Sequence, residues 1–163
     1  MLRKYKIVFD SKKCVACSIC TVACKQENSL PVGVSRIRPT TVGPKEEGGK
    51  LLIDFSLSRC FHCGRAPCIP ACPQKAISKR EDGIILLNRE LCHGCIDGPK
   101  KCIEACPFRA PEVNPVDGKV EICTLCFHRI AQGLDPACVK HCISGALSFQ
   151  RPAKNQIHAD IYT

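Results

Sequence analysis

Sixteen cysteines in 163 residues fall into four groups of four, with none left over. They are Cys14, Cys17, Cys20, Cys24; Cys60, Cys63, Cys68, Cys72; Cys92, Cys95, Cys102, Cys106; and Cys123, Cys126, Cys138, Cys142. Every group opens with C-x2-C and closes with C-x3-C, and only the middle spacer changes, from two to four, six and eleven residues. A pattern repeated four times is an internal repeat. It limits the chain to folds that gather sulfur in quartets.

Three scaffolds use so much cysteine: disulfide frameworks, zinc ribbons and iron–sulfur proteins. The N-terminus, Met1 to Asp10, has no apolar h-region and no twin arginine, so an export signal is not expected. The expectation is a cytoplasmic protein without a membrane span, in a reducing compartment that disfavours disulfides. Zinc suits C-x2-C pairs. It does not explain the repeated C-x3-C, nor the prolines Pro73 and Pro107 that follow Cys72 and Cys106. A cubane [4Fe–4S] cluster explains both. It offers four iron corners, three of which one loop of closely spaced cysteines can wrap, while the fourth takes a thiolate from elsewhere. The bacterial run C-x2-C-x2-C-x3-C meets this by exchange, its fourth cysteine ligating the other cluster of a pair. The first group is that run without the proline. The sequence therefore predicts four [4Fe–4S] clusters.

Composition agrees. Apolar residues make up 45% of the chain, but that includes the cysteines, and there is no Trp. The remaining apolar core is thin, so metal ligation must carry part of the folding energy. The formal charge of +9 suggests a nucleic-acid binder until the clusters are counted. Each site of four thiolates on an oxidised core carries about −2. Four of them bring the loaded chain close to neutral, so no nucleic-acid partner is expected.

Short elements fill the space between the groups. Tyr5 to Asp10, Leu51 to Phe55 and Ala146 to Phe149 read as strands. Ala76 to Ser78 and Ile84 to Leu87 flank the Glu81-Asp82-Gly83 turn as a hairpin, and Asp117-Gly118 marks a second turn before Lys119 to Ile122. Each closing C-x3-C sets two sulfurs on one side of a helical turn. The first helix is expected to stop near Asn28, and Pro73 and Pro107 to end the second and third early. Pro31 to Gly49, rich in Pro and Gly, reads as a surface connection, with Arg36, Arg38 and Lys45 as its solvated cations; a docking loop is the other reading. The tail after Pro152 reads as an arm.

The sixteen cysteines must pair as exchanging groups. Adjacent pairing makes two ferredoxin units in tandem; nested pairing inserts one unit in another. The residues favour nesting only mildly, through strands at the two chain ends that could pair. His62, His93, His128 and His141 adjoin cysteines, but every iron corner already has a thiolate, so they are read as supporting or surface groups. Lys25, Lys101, Arg129 and Lys140 are expected near clusters, where positive charge favours the reduced state.

The chain also resembles a known family: the four-cluster ferredoxin-type electron-transfer subunits of molybdenum and tungsten pterin oxidoreductases, such as those of dimethyl sulfoxide reductase and formate dehydrogenase. The resemblance is carried by the run from Cys14 to Asn28, by Cys60-Phe61-His62-Cys63 and Pro67-Cys68, by Ala105 to Pro111, by Lys119 to Arg129, and by Pro136-Ala137-Cys138 and Gly145-Ala146-Leu147. It implies an α+β fold of two nested bacterial-ferredoxin-like modules, the outer of residues 1–58 and 116–163, the inner of residues 59–115. It implies four ligand sets: Cys14, Cys17, Cys20 with Cys142; Cys123, Cys126, Cys138 with Cys24; Cys60, Cys63, Cys68 with Cys106; and Cys92, Cys95, Cys102 with Cys72. It implies no catalytic residues, a large catalytic subunit with a molybdenum or tungsten pterin, and a further redox partner, either another subunit or a ferredoxin or flavoprotein. Two departures stand out. Six residues separate Cys95 from Cys102, an insertion around Ile96 to Pro99 expected to bulge beside its cluster, and Ile143-Ser144 follows Cys142 where the family has Pro-Thr. The compact chain suggests the small subunit of a tungsten aldehyde oxidoreductase. The alternatives are a carrier for carbon monoxide dehydrogenase or hydrogenase, and a zinc-ribbon interaction module.

Overall fold

The computed structural model of the protein describes residues 5–95 and 98–152. The tail after Pro152, and Ile96 and Asp97 of the insertion, lie outside the described residues. Among the described residues, four two-stranded antiparallel sheets, four short α-helices and one 3-10 turn (Ser11–Lys13) make up the regular structure. Strand β1 (Lys6–Phe9) pairs with β8 (Leu147–Gln150), Ile7 opposite Phe149, so the two ends of the described chain share one ladder. Strand β2 (Ile37–Glu47) pairs with β3 (Lys50–Arg59), β4 (Ile77–Lys79) with β5 (Ile85–Leu87), and β6 (Glu112–Val113) with β7 (Val120–Glu121). These are short elements of the ferredoxin-like kind. Among the described residues no helix is long and apolar enough to cross a membrane.

The expected strands are present: the two hairpins form around Gly83 and Gly118, where φ is +86° and +68°, values glycine reaches without steric cost. Helix α1 (Ile19–Glu27) ends at Asn28, whose side-chain amide and backbone N–H both donate to the Cys24 carbonyl. Helices α2 (Lys101–Glu104) and α4 (Ala137–Lys140) carry the third cysteines of their groups, Cys102 and Cys138, and α3 (Phe127–Ala131) follows Cys126. The second group departs from expectation. Ala66 to Cys72 forms successive turns rather than a helix: Pro67 and Pro70 lack the N–H groups a helical ladder needs.

The larger correction is Pro31 to Gly49. Most of it is not a connection but strand β2, eleven residues long and partnered along β3. Pairing along β3 overrides the Pro and Gly content, which a bulge between Val42 and Lys45 absorbs. Its base is core: Val34 and Ile37 are buried, whereas Leu51, Leu52 and Ile53 at the far end are exposed. Nor are its arginines solvated cations. Arg36 donates to Glu121 at 2.6 Å and to Asn28 Oδ1 at 2.9 Å, and Arg38 pairs with Glu112. They bolt the ribbon base to β6 and β7.

Two hydrophobic groups build the core. One gathers Ala76, Ile77, Ile85, Val120 and Ile122 with Cys60, Cys68, Cys92, Cys102 and Cys123. The other gathers Ile7, Val34, Ile37, Ile84, Leu125 and Leu147 with Cys24 and Cys138. In both, sulfur stands where further aliphatic side chains would otherwise be.

Candidate metal centres

The four C-x2-C loops share one backbone device. The residue two positions after the opening cysteine has positive φ in each: Ala16 at +50°, His62 at +48°, Gly94 at +74° and Leu125 at +54°. Three of these are not glycine, so each holds a left-handed conformation costing on the order of 1–2 kcal/mol. The turn aims an amide back at sulfur. Ala16 N–H donates to Cys14 Sγ at 3.4 Å, His62 N–H to Cys60 Sγ at 3.5 Å, and Leu125 N–H to Cys123 Sγ at 3.4 Å. Ala110 N–H reaches Cys106 Sγ at 3.4 Å. Amide donors favour the thiolate over the thiol.

Thiols distant in sequence lie together. Cys14, Cys17, Cys20 and Cys142 line one cavity, beside Phe9, Pro39 and Leu57. Another is lined by Cys60, Cys63, Cys68 and Cys106 with Pro67 and Ile122. Burial, with Cys123 and Cys126 acting in the same direction, pushes the Cys24 thiol up to about 12. Burial also raises Cys138, with Cys123, Cys24 and Cys126 adding to it. Cys102 is pushed up to about 11 by burial and then by Cys72, Cys95 and Cys92. Cys60 is raised to about 12, chiefly by burial and against the amide of His62. Cys142 goes the other way: burial raises it, but hydrogen bonds from Leu147, Ser144 and Ala146 outweigh that and lower it.

This donor set fits iron–sulfur clusters. All sixteen thiols are free, without disulfides. Burial makes Cys24, Cys60, Cys102 and Cys138 resist ionisation, and a cationic core placed among them would make their thiolates favourable.

Two family models match, each for a 4Fe-4S dicluster domain, over residues 51–152 and 13–76. This protein belongs to the 4Fe-4S dicluster family. Two dicluster matches and sixteen cysteines give it four [4Fe–4S] clusters. Its relatives in the family include a polysulfide reductase chain of Wolinella succinogenes, 38% identical over 91% of this protein and 77% of the relative. A tetrathionate reductase subunit of Salmonella typhimurium is 38% identical over 88% of this protein, which spans only 56% of that relative. The thiosulfate reductase electron transfer subunit of Salmonella typhi is 37% identical over 96% of this protein and 81% of the relative. The protein is an electron-transfer subunit and not a catalytic one.

The four histidines beside cysteines differ in their surroundings. His62 is buried, its Nδ1 accepting from Ile85 N–H at 2.9 Å, while its Nε2 has no partner. Burial pulls it down to about 3, so it is neutral. His128 Nε2 lies 2.7 Å from Glu27 Oε1, and Glu27 also accepts from Arg129 at 2.8 Å. His141 Nδ1 donates to the Ala137 carbonyl at 2.9 Å, and His93 is exposed. Of the expected cluster-side cations, Lys25 donates to the Pro31 and Val34 carbonyls, both at 2.7 Å, and Lys101 and Lys140 are exposed. The cation that the sequence did not single out is Arg59. It is 6% exposed, ends β3 directly before Cys60, and has a buried Nε with no acceptor.

Proposed function

We propose that the protein relays single electrons through its four clusters between a catalytic subunit with a molybdenum or tungsten pterin and a second redox partner. It holds the clusters as two nested modules, residues 1–58 with 116–163 outside and residues 59–115 inside. The ligand sets are Cys14, Cys17, Cys20, Cys142; Cys24, Cys123, Cys126, Cys138; Cys60, Cys63, Cys68, Cys106; and Cys72, Cys92, Cys95, Cys102. The observation that carries this reading is the company each closing cysteine keeps. Cys142 lines a cavity with the first group, and Cys106 with the second. The thiols that weigh most on Cys24 are Cys123 and Cys126, with its own loop neighbour Cys20 last. The β1–β8 ladder, which brings the two chain ends together, supports the nesting.

The clusters supply the one-electron chemistry; the polypeptide fixes their order and sets their surroundings. Closing cysteines four residues after their neighbours tie consecutive sites together, Cys20 to Cys24 and Cys68 to Cys72, so each helix or turn spans two sites. The exposure of Cys17 supports a first site at the surface, where a partner's cofactor can approach. The named reductase relatives support a catalytic partner of the polysulfide, tetrathionate or thiosulfate reductase kind.

Purification without oxygen tests the reading, with iron, acid-labile sulfide and zinc counted per chain and co-purifying subunits identified. About sixteen iron and sixteen sulfide, and a large subunit containing a pterin with molybdenum or tungsten, are expected. Tungsten with aldehyde oxidation would specify the aldehyde oxidoreductase type. A hydrogenase or carbon monoxide dehydrogenase in its place would overturn the pterin partner, and zinc without sulfide would overturn the relay.

A further inference from the structure

Arg59 directly precedes Cys60, which shares a buried hydrophobic cluster with Cys123 of the fourth group, and arginine is the side chain that stays charged even when buried. Its Nη1 donates to the Cys60 carbonyl at 2.9 Å, its Nη2 donates to the Ile7 carbonyl, and its guanidinium carbon lies 4.5 Å from the Phe61 ring centroid. Among the described residues no carboxylate pairs with it, although Arg36 and Arg129 each have one. A buried cation needs a counter-charge. Arg59 lines one cavity with Phe61 and His62, which lie between Cys60 and Cys63, and with Leu125, which lies between Cys123 and Cys126. The two loops belong to different proposed ligand sets.

We propose that Arg59 is the shared counter-cation of two neighbouring clusters, those of Cys24, Cys123, Cys126, Cys138 and of Cys60, Cys63, Cys68, Cys106, and that it raises the reduction potential of both. The proposal rests on the ligand sets given above. Each site carries about −2 when oxidised and about −3 after taking one electron from its reduced neighbour, with no bond made or broken. A fixed positive charge between the two favours the more negative form of each. It also screens their mutual repulsion, which eases the passage of an electron from one half of the fold to the other. Arg59 touches no reacting bond; it is a tuning residue. Its carbonyl bonds and ring stacking hold the charge at the junction.

The test compares Arg59→Lys, Arg59→Gln and Arg59→Met in the anaerobically purified, cluster-loaded protein. Met leaves no buried polar group behind, so whichever neutral variant keeps its iron is the one titrated. Reduction is followed by electron paramagnetic resonance, and the two clusters are identified as the signals lost in Cys126→Ser and in Cys63→Ser. The expected result is that these two midpoint potentials fall in the neutral variant and stay near wild type in Arg59→Lys, with the other two unmoved in both. Four unmoved potentials would overturn the proposal, as would an equal fall in Arg59→Lys or a fall confined to the other two clusters. A wild-type protein with fewer than about sixteen iron, or signals that do not follow the cysteine variants, would instead overturn the ligand sets.

Discussion

Gly94, in the loop of the third cysteine group, lies with its Cα against the backbone of Gly118: a Cβ on Gly94 would stand 2.3 Å from the Gly118 carbonyl oxygen. Its φ of +74° is left-handed besides. The other three loops hold a side chain at the equivalent position; this one has no room. Gly94→Ala must push the β6–β7 turn away or unwind the loop between Cys92 and Cys95. The expected outcome is selective loss of one cluster, from about sixteen iron to about twelve. Full iron with unchanged spectra would mean that the turn yields freely.

Glu121 is the buried hinge of the ion-pair network. Its side chain is 4% exposed, Arg36 donates to it at 2.6 Å, and Arg89 and Asn114 complete its bonds. Removing the carboxylate leaves Arg36, itself only 12% exposed, without its counter-charge. Breaking such a pair from one side costs about 3 kcal/mol, so Glu121→Ala is expected to lose cluster absorbance at a markedly lower temperature than wild type. A denaturation curve that overlays the wild type would contradict the assignment.

The β2–β3 ribbon separates into base and tip. Ile37 at its base is 2% exposed, whereas Leu51 and Ile53 near its tip are 74% and 58% exposed. Ile37→Ala is expected to cost about 2–5 kcal/mol, as for other deletions in a packed core. Leu51→Ser with Ile53→Ser is expected to change stability by no more than about 0.5 kcal/mol each. Chemical denaturation of the two variants in parallel checks the contrast, and equal effects would mean that the tip is packed.

The legible part of this protein was the chemistry of its ligands. Four quartets of fixed pattern leave few choices of metal group, and the short strands around them follow from turn residues such as Gly83 and Gly118. What the sequence concealed depended on pairing at a distance. Pro39 and Pro44 argued against a strand, but β3 had the length to partner β2, and a bulge took up the misfit. Arg36 and Arg38 looked like solvated charge because Glu121 and Glu112, far along the chain, carry no local sign of being their partners. Arg59 looked like one more basic residue. One signal was available: a cation at the end of a strand, flush against Cys60, has little chance to reach solvent.

The exchange of closing cysteines between groups is the centre of the proposed arrangement, and counting iron in cysteine variants tests it most directly. Cys17→Ser and Cys24→Ser, both in the first group, are each expected to lose one cluster, leaving about twelve iron. The double variant Cys17→Ser/Cys24→Ser is expected to lose two, leaving about eight, because its cysteines serve different clusters. Cys24→Ser/Cys126→Ser, spanning the first and fourth groups, is expected to keep about twelve. The reverse pattern, about twelve iron for the pair within one group and about eight for the pair across groups, would contradict the exchange.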